Sequence, residues 1–211
     1  MGGKWRGRGR KEPRKITDRI PLPLVLIVCE GEITEPQYFH GFFKGCDNPR
    51  VGIEVQSASG GPLPFVRFAK KLKITAEKHA KREEDPFFIY DSVWCVFDVD
   101  EHDHISEAMS MAVDNGIELA ISNPCFELWL LLHFRQSPGP QTSDKLQKLL
   151  IRELPNYDKH VDFTTYEQGY PEAVKRAAKL ADQAELVGDP IYNPSTGVYR
   201  LTELIRGVEP S

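Results

Sequence analysis

From residue 24 onward, short apolar runs alternate with longer stretches in which apolar side chains recur every three or four positions. That rhythm is the mark of strands alternating with helices. Leu24–Cys29 (LVLIVC) is a continuous, β-branched run of strand length, which suits a strand covered on both faces. It stops at Glu30-Gly31. Thr34 then heads TEPQYFHGFFK, where Thr34 and Gln37 have capping-box spacing and Pro36 falls in the first turn, predicting a helix start. Gly45 or the Asp47-Asn48-Pro49 cluster ends that helix. Val51–Gln56 alternates as a second strand, Ser57–Pro64 reads as a loop, and 65–82 has helical spacing at Phe65, Phe68, Ala69 and Leu72.

Ser92–Phe97 (SVWCVF) is a third buried strand, followed by Asp98-Val99-Asp100. Ile105–Asn115 is a short helix stopped by Asn115-Gly116, and Ile117–Ile121 is a fourth strand. Alternation of this kind predicts an α/β fold with a mostly parallel four-stranded sheet flanked by helices. Asn123-Pro124 then supplies a helix cap and a first-turn proline for 125–134 (CFELWLLLHF), apolar nearly all round and therefore buried. Beyond Ser137-Pro138-Gly139-Pro140 the pattern changes to amphipathic helices at Ser143–Leu154 and Pro171–Leu186 and a short closing helix at Val198–Ile205, with no further strand. The expected organisation is an N-terminal arm over residues 1–21, a metal-binding α/β domain over 22–136, and a helical extension over 137–211 that packs on it.

Composition sharpens the picture at the N-terminus. The formal charge of −4, from 27 Lys+Arg and 31 Asp+Glu, hides a split: residues 1–19 carry a net +6 and the remainder a net −10. With Trp5 and Ile16 as its only large apolar groups, that arm cannot bury enough surface to fold alone. A solubilising tail and a phosphate-binding arm both fit it. Apolar residues at 40% exclude a fibre or a low-complexity scaffold. No apolar stretch approaches the roughly 18–20 residues needed to span a bilayer, and no secretory signal pattern opens the chain, so a cytoplasmic protein with no membrane partner is expected. Cys29, Cys46, Cys95 and Cys125 form no CxxC pair, and Cys29, Cys95 and Cys125 fall in or beside apolar runs, as small buried hydrophobes do.

The candidate chemistry lies in the loops at the carboxyl ends of the strands, where open α/β sheets bind ligands. Glu30, Glu32 and Glu35 follow the first strand, and Asp98, Asp100, Glu101 and Asp103 follow the third, with His102 and His104 among them. Seven carboxylates facing one crevice raise one another's pKa values or demand a cation. Hard oxygen ligands select Mg²⁺ or Mn²⁺. In an extended Asp-Val-Asp segment, Asp98 and Asp100 can point to one side while Val99 faces the core. Gly31 permits a sharp turn that brings backbone amides and the helix beginning near Thr34 alongside Glu30, placing phosphate next to metal. Ser122 and Asn123, after the fourth strand, join the same crevice.

Simpler roles exist for single residues. An Asp at a strand end before a helix can be an N-cap, and Glu32 or Glu35 in a first turn suits the helix dipole. Glu30 with the Asp98/Asp100 pair exceeds what capping needs, since one cap uses one oxygen. His102 and His104 fit solvated loop positions or a general base and a phosphate contact. Glu127, the lone acid of the apolar helix, fits dipole stabilisation or a role supporting the metal ligands. His133 fits a dipole partner or a satisfied core residue better than a catalyst.

The Glu-Gly after the first strand and the Asp-x-Asp after the third resemble the Toprim fold of topoisomerases, primases, recombination factors and OLD-type nucleases. More closely, VCEGEITEPQYF (28–39), VWCVFDVDEHD (93–103), LAISNPCFELWLLLHF (119–134) and NPSTGVYRL (193–201) resemble the RloB-like family of bacterial proteins linked with phage defence and restriction loci. The resemblance implies a Toprim-like fold in which Glu30 matches the glutamate and Asp98 and Asp100 match the paired aspartates that bind Mg²⁺. Glu35 takes the place of a downstream acid, at an offset one residue from the commoner pattern, with Glu32 as its rival. It further implies a nuclease effector of abortive infection and antiviral defence that works with an ATPase partner. Asn193, Ser195 and Arg200 sit in the closing block, where docking of the last helix and phosphate contact both fit.

The reading expected is a Mg²⁺- or Mn²⁺-dependent phosphodiesterase acting on RNA or DNA. Glu30, Asp98 and Asp100 hold the metal; Glu35 and His102 assist catalysis; Gly31, Ser122, Asn123 and Arg200 contact phosphate. A homo-oligomer is compatible with the sequence. Two rivals are kept. FDVDE (97–101), Ser122 and Gly188-Asp189 occur in the order that a HAD-like phosphomonoesterase uses, with Lys145 or Lys159 between, although no strand precedes Gly188-Asp189. A non-catalytic Toprim adaptor that binds an ATPase or nucleic acid is the other.

Overall fold

The computed structural model describes residues 23–46, 48, 50–58, 60–99 and 104–207. The basic arm and the segment holding Asp100, Glu101, His102 and Asp103 lie outside the described residues.

Five strands form one sheet: β1 (Leu24–Cys29), β2 (Gly52–Ser57), β3 (Ser92–Asp98), β4 (Glu118–Asn123) and β5 (Ser195–Thr196), in the order β2-β1-β3-β4-β5. The first four are parallel, and β5 runs antiparallel to β4. The class is therefore the mostly parallel α/β sheet that the sequence predicts, with one strand more. A two-residue strand carries no periodic signal, and Ser195 and Thr196 are polar, which is why the sequence pattern misses it.

The continuous apolar runs behave as strands covered on both faces. Val25, Ile27 and Cys29 of β1 and Trp94 and Val96 of β3 enter one core cluster; Leu26 and Val28 with Val93, Cys95 and Phe97 enter another. Helices α2 (Pro62–Glu83) and α3 (Ile105–Asp114) cover the second cluster through Phe65, Val66, Ala69, Ala108 and Ala112. Helix α1 (Thr34–Cys46) covers the first, together with α4 (Glu127–Leu132), α5 (Ser143–Glu153), α6 (Tyr170–Val187) and α7 (Val198–Arg206). Residues beyond 137 share this cluster with α1 and β1: Leu146, Leu150, Ala173, Ala177, Leu201 and Ile205 are fully or nearly fully buried in it.

Several local expectations are corrected. The α2 helix starts three residues early, at Pro62, because Pro62 and Pro64 both fit a first turn, whose amides need no intrahelical acceptor. Thr34 and Gln37 form no capping box: the Thr34 hydroxyl donates to the Lys159 carbonyl at 2.8 Å, and the Gln37 side-chain oxygen accepts the Val161 amide at 2.8 Å. Asn123 is the last residue of β4 rather than a helix cap, and its side-chain amide donates to the Ile191 carbonyl. The apolar segment 125–134 is helical only over Glu127–Leu132, and tighter i→i−3 bonds flank it, from Leu128 to Cys125 and from His133 to Leu130. All six of its residues are buried, as an all-round apolar helix requires.

Candidate active site

The strand order β2-β1-β3-β4 makes the chain leave β1 toward one side of the sheet and β3 toward the other. The gap between the carboxyl ends of β1 and β3 is thus the switch point at which such sheets open a crevice. Glu30 and Asp98 stand at its two sides. The Glu30 amide continues the ladder by donating to the Val96 carbonyl at 3.0 Å, and the Asp98 amide donates to Glu30 Oε2 at 3.3 Å. On the far side of Asp98, the Val99 amide donates to the Ser122 carbonyl at 2.9 Å. Backbone pairing on both flanks fixes these two acids relative to each other.

Between β1 and α1 the chain turns through Gly31, which is needed for close approach rather than for an unusual φ. A Cβ there would lie 2.0 Å from Glu35 Oε2. The missing side chain lets the Glu35 carboxyl rest against the main chain at the head of α1. Glu35 is buried, whereas Glu32 is exposed at the rim. Burial pushes the Glu35 carboxyl pKa up, and the charges of Glu127 and Glu30 push it further, against backbone amides at Glu35 and Gly31 that favour the carboxylate.

Together these groups line a pocket of about 350 Å³ with Cys125, Phe126 and Glu127 from the β4–α4 connection and Ser143, Gln147 and Lys159 from beyond residue 137. Glu127 is buried, and its Oε1 accepts the Tyr157 hydroxyl at 3.1 Å and the Gln147 side-chain amide at 3.3 Å. Five of the described lining residues are acids and one, Lys159, is a base. Cys125 contributes an inert thiol, its pKa raised by burial first and by the Glu127 and Asp98 charges next.

Of the residues picked out from sequence, Glu30, Gly31, Glu35 and Asp98 are brought together here. Asp100 and His102 lie outside the described residues. Ser122, Asn123 and Arg200 do not line this pocket. The Ser122 hydroxyl is fully buried and pairs with the Thr196 hydroxyl at 2.9 Å, tying β4 to β5. Arg200 donates to the Leu119 carbonyl at 3.0 Å and borders a separate groove with Ser195, Gly188 and Asp189. Asn193 exchanges hydrogen bonds with the Gln141 backbone, which ties the closing block to the segment before α5. His104 begins α3, pairs with Glu107 at 3.0 Å and is exposed.

Sequence reasoning missed Tyr157 and Gln147 as neighbours of the acids, and singled out Lys159 only in the phosphomonoesterase alternative. Tyr157 and Lys159 sit in an aperiodic polar segment, PNYDKH, where nothing but a local cluster of charge marks a site. Gln147 occupies an ordinary position of an amphipathic helix.

Hard oxygen donors at the switch point fit a small divalent cation. Among the described residues no group of three or more His, Cys, Asp and Glu side chains is arranged to hold a metal ion. Mg²⁺ commonly takes only one or two carboxylates and completes its shell with water and phosphate oxygens, so Glu30 and Asp98 satisfy that requirement.

The fold class is a mostly parallel, helix-flanked α/β sheet, with an acid-lined crevice at its switch point built from β1, β3 and the head of α1. The sequence matches the profile of the RloB-like protein family over residues 25–205, and the chain belongs to that family. A search of curated proteins and a search of solved structures each found no match. Among the described residues no helix is long and apolar enough to cross a membrane.

Proposed function

We propose that this protein is a metal-dependent nuclease that hydrolyses phosphodiester bonds in RNA or DNA. The observation that carries the reading is the meeting of Glu30 and Asp98 at the β1/β3 switch point, locked by the amide of one on the carboxylate of the other. Glu30, Asp98 and Asp100 would hold Mg²⁺ or Mn²⁺. When bound, such a cation polarises a phosphoryl oxygen and lowers the pKa of water. The chain's own residues set the rest. Glu30 and Asp98 keep their positions without a cation because the sheet ladder holds them. Glu35, packed on Gly31 at the crevice floor, is the buried carboxyl placed to carry a proton, with His102 as general base from the β3–α3 loop. Glu127 is oriented by Tyr157 and Gln147 and supports the acids from behind.

The resemblance to nuclease subunits of two-component defence systems extends the proposal to an effector in anti-phage defence that acts with an ATPase partner. The phosphomonoesterase alternative draws less support: Gly188 ends α6 in the left-handed conformation, and Gly188 and Asp189 border a different groove from Asp98.

The test is incubation of the purified protein, with and without an ATPase encoded beside it, with labelled tRNA, single-stranded RNA and duplex DNA, in Mg²⁺ or Mn²⁺ and in EDTA. Cleavage that needs the metal and is abolished in Glu30→Gln and Asp98→Asn supports the reading. Cleavage equal in both variants and wild type, or none under any condition, overturns it.

A further inference from the structure

Lys159 is the one basic side chain among the described residues that line the acidic pocket, and its backbone is unusual: φ is +75°, the left-handed region that a side-chain-bearing residue seldom adopts. Residues in that region persist where their surroundings over-determine them, and such positions cluster at ligand clamps. Here the over-determination is visible. The segment 157–161 is tied down at three successive points to the elements that carry the acids. The Tyr157 hydroxyl donates to Glu127, the Lys159 carbonyl accepts the Thr34 hydroxyl, and the Val161 amide donates to Gln37. Thr34 and Gln37 are polar residues of the first turn of α1, beside Glu35, and are spent on this strap instead of on capping their own helix. An Asx turn, in which Asp158 accepts the His160 amide at 3.2 Å, completes the reversal around Lys159.

Lys159 is exposed and makes no ion pair among the described residues, although five acids share its pocket. A strained backbone, three anchors and an outward cation make little sense as a stability device. Together they hold the one described base of the pocket lining at a fixed place beside its five acids, on the solvent side.

We infer that Lys159 is a phosphodiester-binding residue: the 157–161 strap presents its ammonium to a backbone phosphate of the nucleic acid that the acidic pocket acts on. Thr34 and Gln37 are positioning residues that fix the strap. The inference rests on the nuclease reading and names how that site takes hold of its substrate.

The experiment is equilibrium binding of a fluorescent single-stranded RNA, and of DNA of the same sequence, to the full chain in EDTA at several salt concentrations, alongside thermal melting. The variants are Lys159→Gly, Lys159→Arg and Thr34→Val. Glycine tolerates a positive φ, so Lys159→Gly melts at or above the wild-type temperature. It nonetheless binds several-fold more weakly, and the slope of log K against log salt falls by about 0.7, the loss of one phosphate contact to a single strand. Lys159→Arg keeps most of the binding; Thr34→Val loses part of it. The preferred arm, RNA or DNA, identifies the substrate polymer. Unchanged affinity and slope in Lys159→Gly, with wild-type binding intact, overturn the role of Lys159 and leave the nuclease reading standing. Absence of wild-type binding to either polymer overturns both.

Discussion

Protonating His133 should cost this protein a large part of its stability in mild acid. The imidazole is buried and both ring nitrogens are engaged: Nδ1 lies 2.9 Å from the Trp129 carbonyl, which can only accept, so Nδ1 carries the proton, and Nε2 accepts the Tyr38 hydroxyl at 3.3 Å. Burial among Tyr38, Trp129, Tyr166 and Tyr170, with the Arg176 charge adding to it, lowers its pKa to about 4. In the unfolded chain the same group titrates near 6.5. Below that value the unfolded state binds a proton that the folded state refuses, so stability falls as pH drops from about 6.5 toward about 4. At pH 5 the loss from this residue alone is about 2 kcal/mol, a sizeable part of a typical 5–15 kcal/mol. Urea unfolding of wild type and His133→Gln at pH 7.5 and pH 5 measures it. The variant is the less stable of the two at pH 7.5, and the gap narrows by about 2 kcal/mol at pH 5. Glu35, whose raised pKa acts in the opposite direction, is common to both proteins and cancels. An equal gap at both pH values would refute the assignment.

Three further outcomes can be checked by melting and activity. Gly31→Ala puts a Cβ 2.0 Å from the Glu35 carboxyl, the far end of a side chain that can swing away, so it costs little stability and lowers activity by displacing that group. Gly169→Ala should be worse for stability, since its Cβ would meet the backbone oxygen of His133 at 2.1 Å and no side-chain rotation relieves the clash. Ser122→Ala removes the buried hydroxyl pair with Thr196 at a cost of about 1–3 kcal/mol while leaving turnover unchanged, whereas a phosphate-binding serine would lose turnover.

The strands and the acids at their ends were legible from the chain because they obey local rules. LVLIVC and SVWCVF are buried on both faces, and the helices between successive strands make them parallel, whereas the strand order is set by the fold. Glu30 and Asp98 could be paired from sequence because each ends a run that must be a strand. Other features depended on distant partners. Thr34 and Gln37 have the spacing of a capping box, but the backbone at 159–161 competes for both side chains. Asn123 reads as a cap until Ile191 takes its amide. Ser122 reads as a crevice hydroxyl until Thr196, 74 residues on, buries it. The strap that carries Lys159 has no period at all, and its place beside α1 and Glu127 is set by three long-range hydrogen bonds.

The central claim is that Glu30 and Asp98 are ligands of a divalent cation, and calorimetric titration of Mn²⁺ into the full chain tests it most directly. Wild type should bind, while Glu30→Gln and Asp98→Asn, each retaining its circular dichroism spectrum, should bind about tenfold or more weakly, at least the loss that follows removal of a supporting contact. Folded variants that bind Mn²⁺ as tightly as wild type would contradict the account.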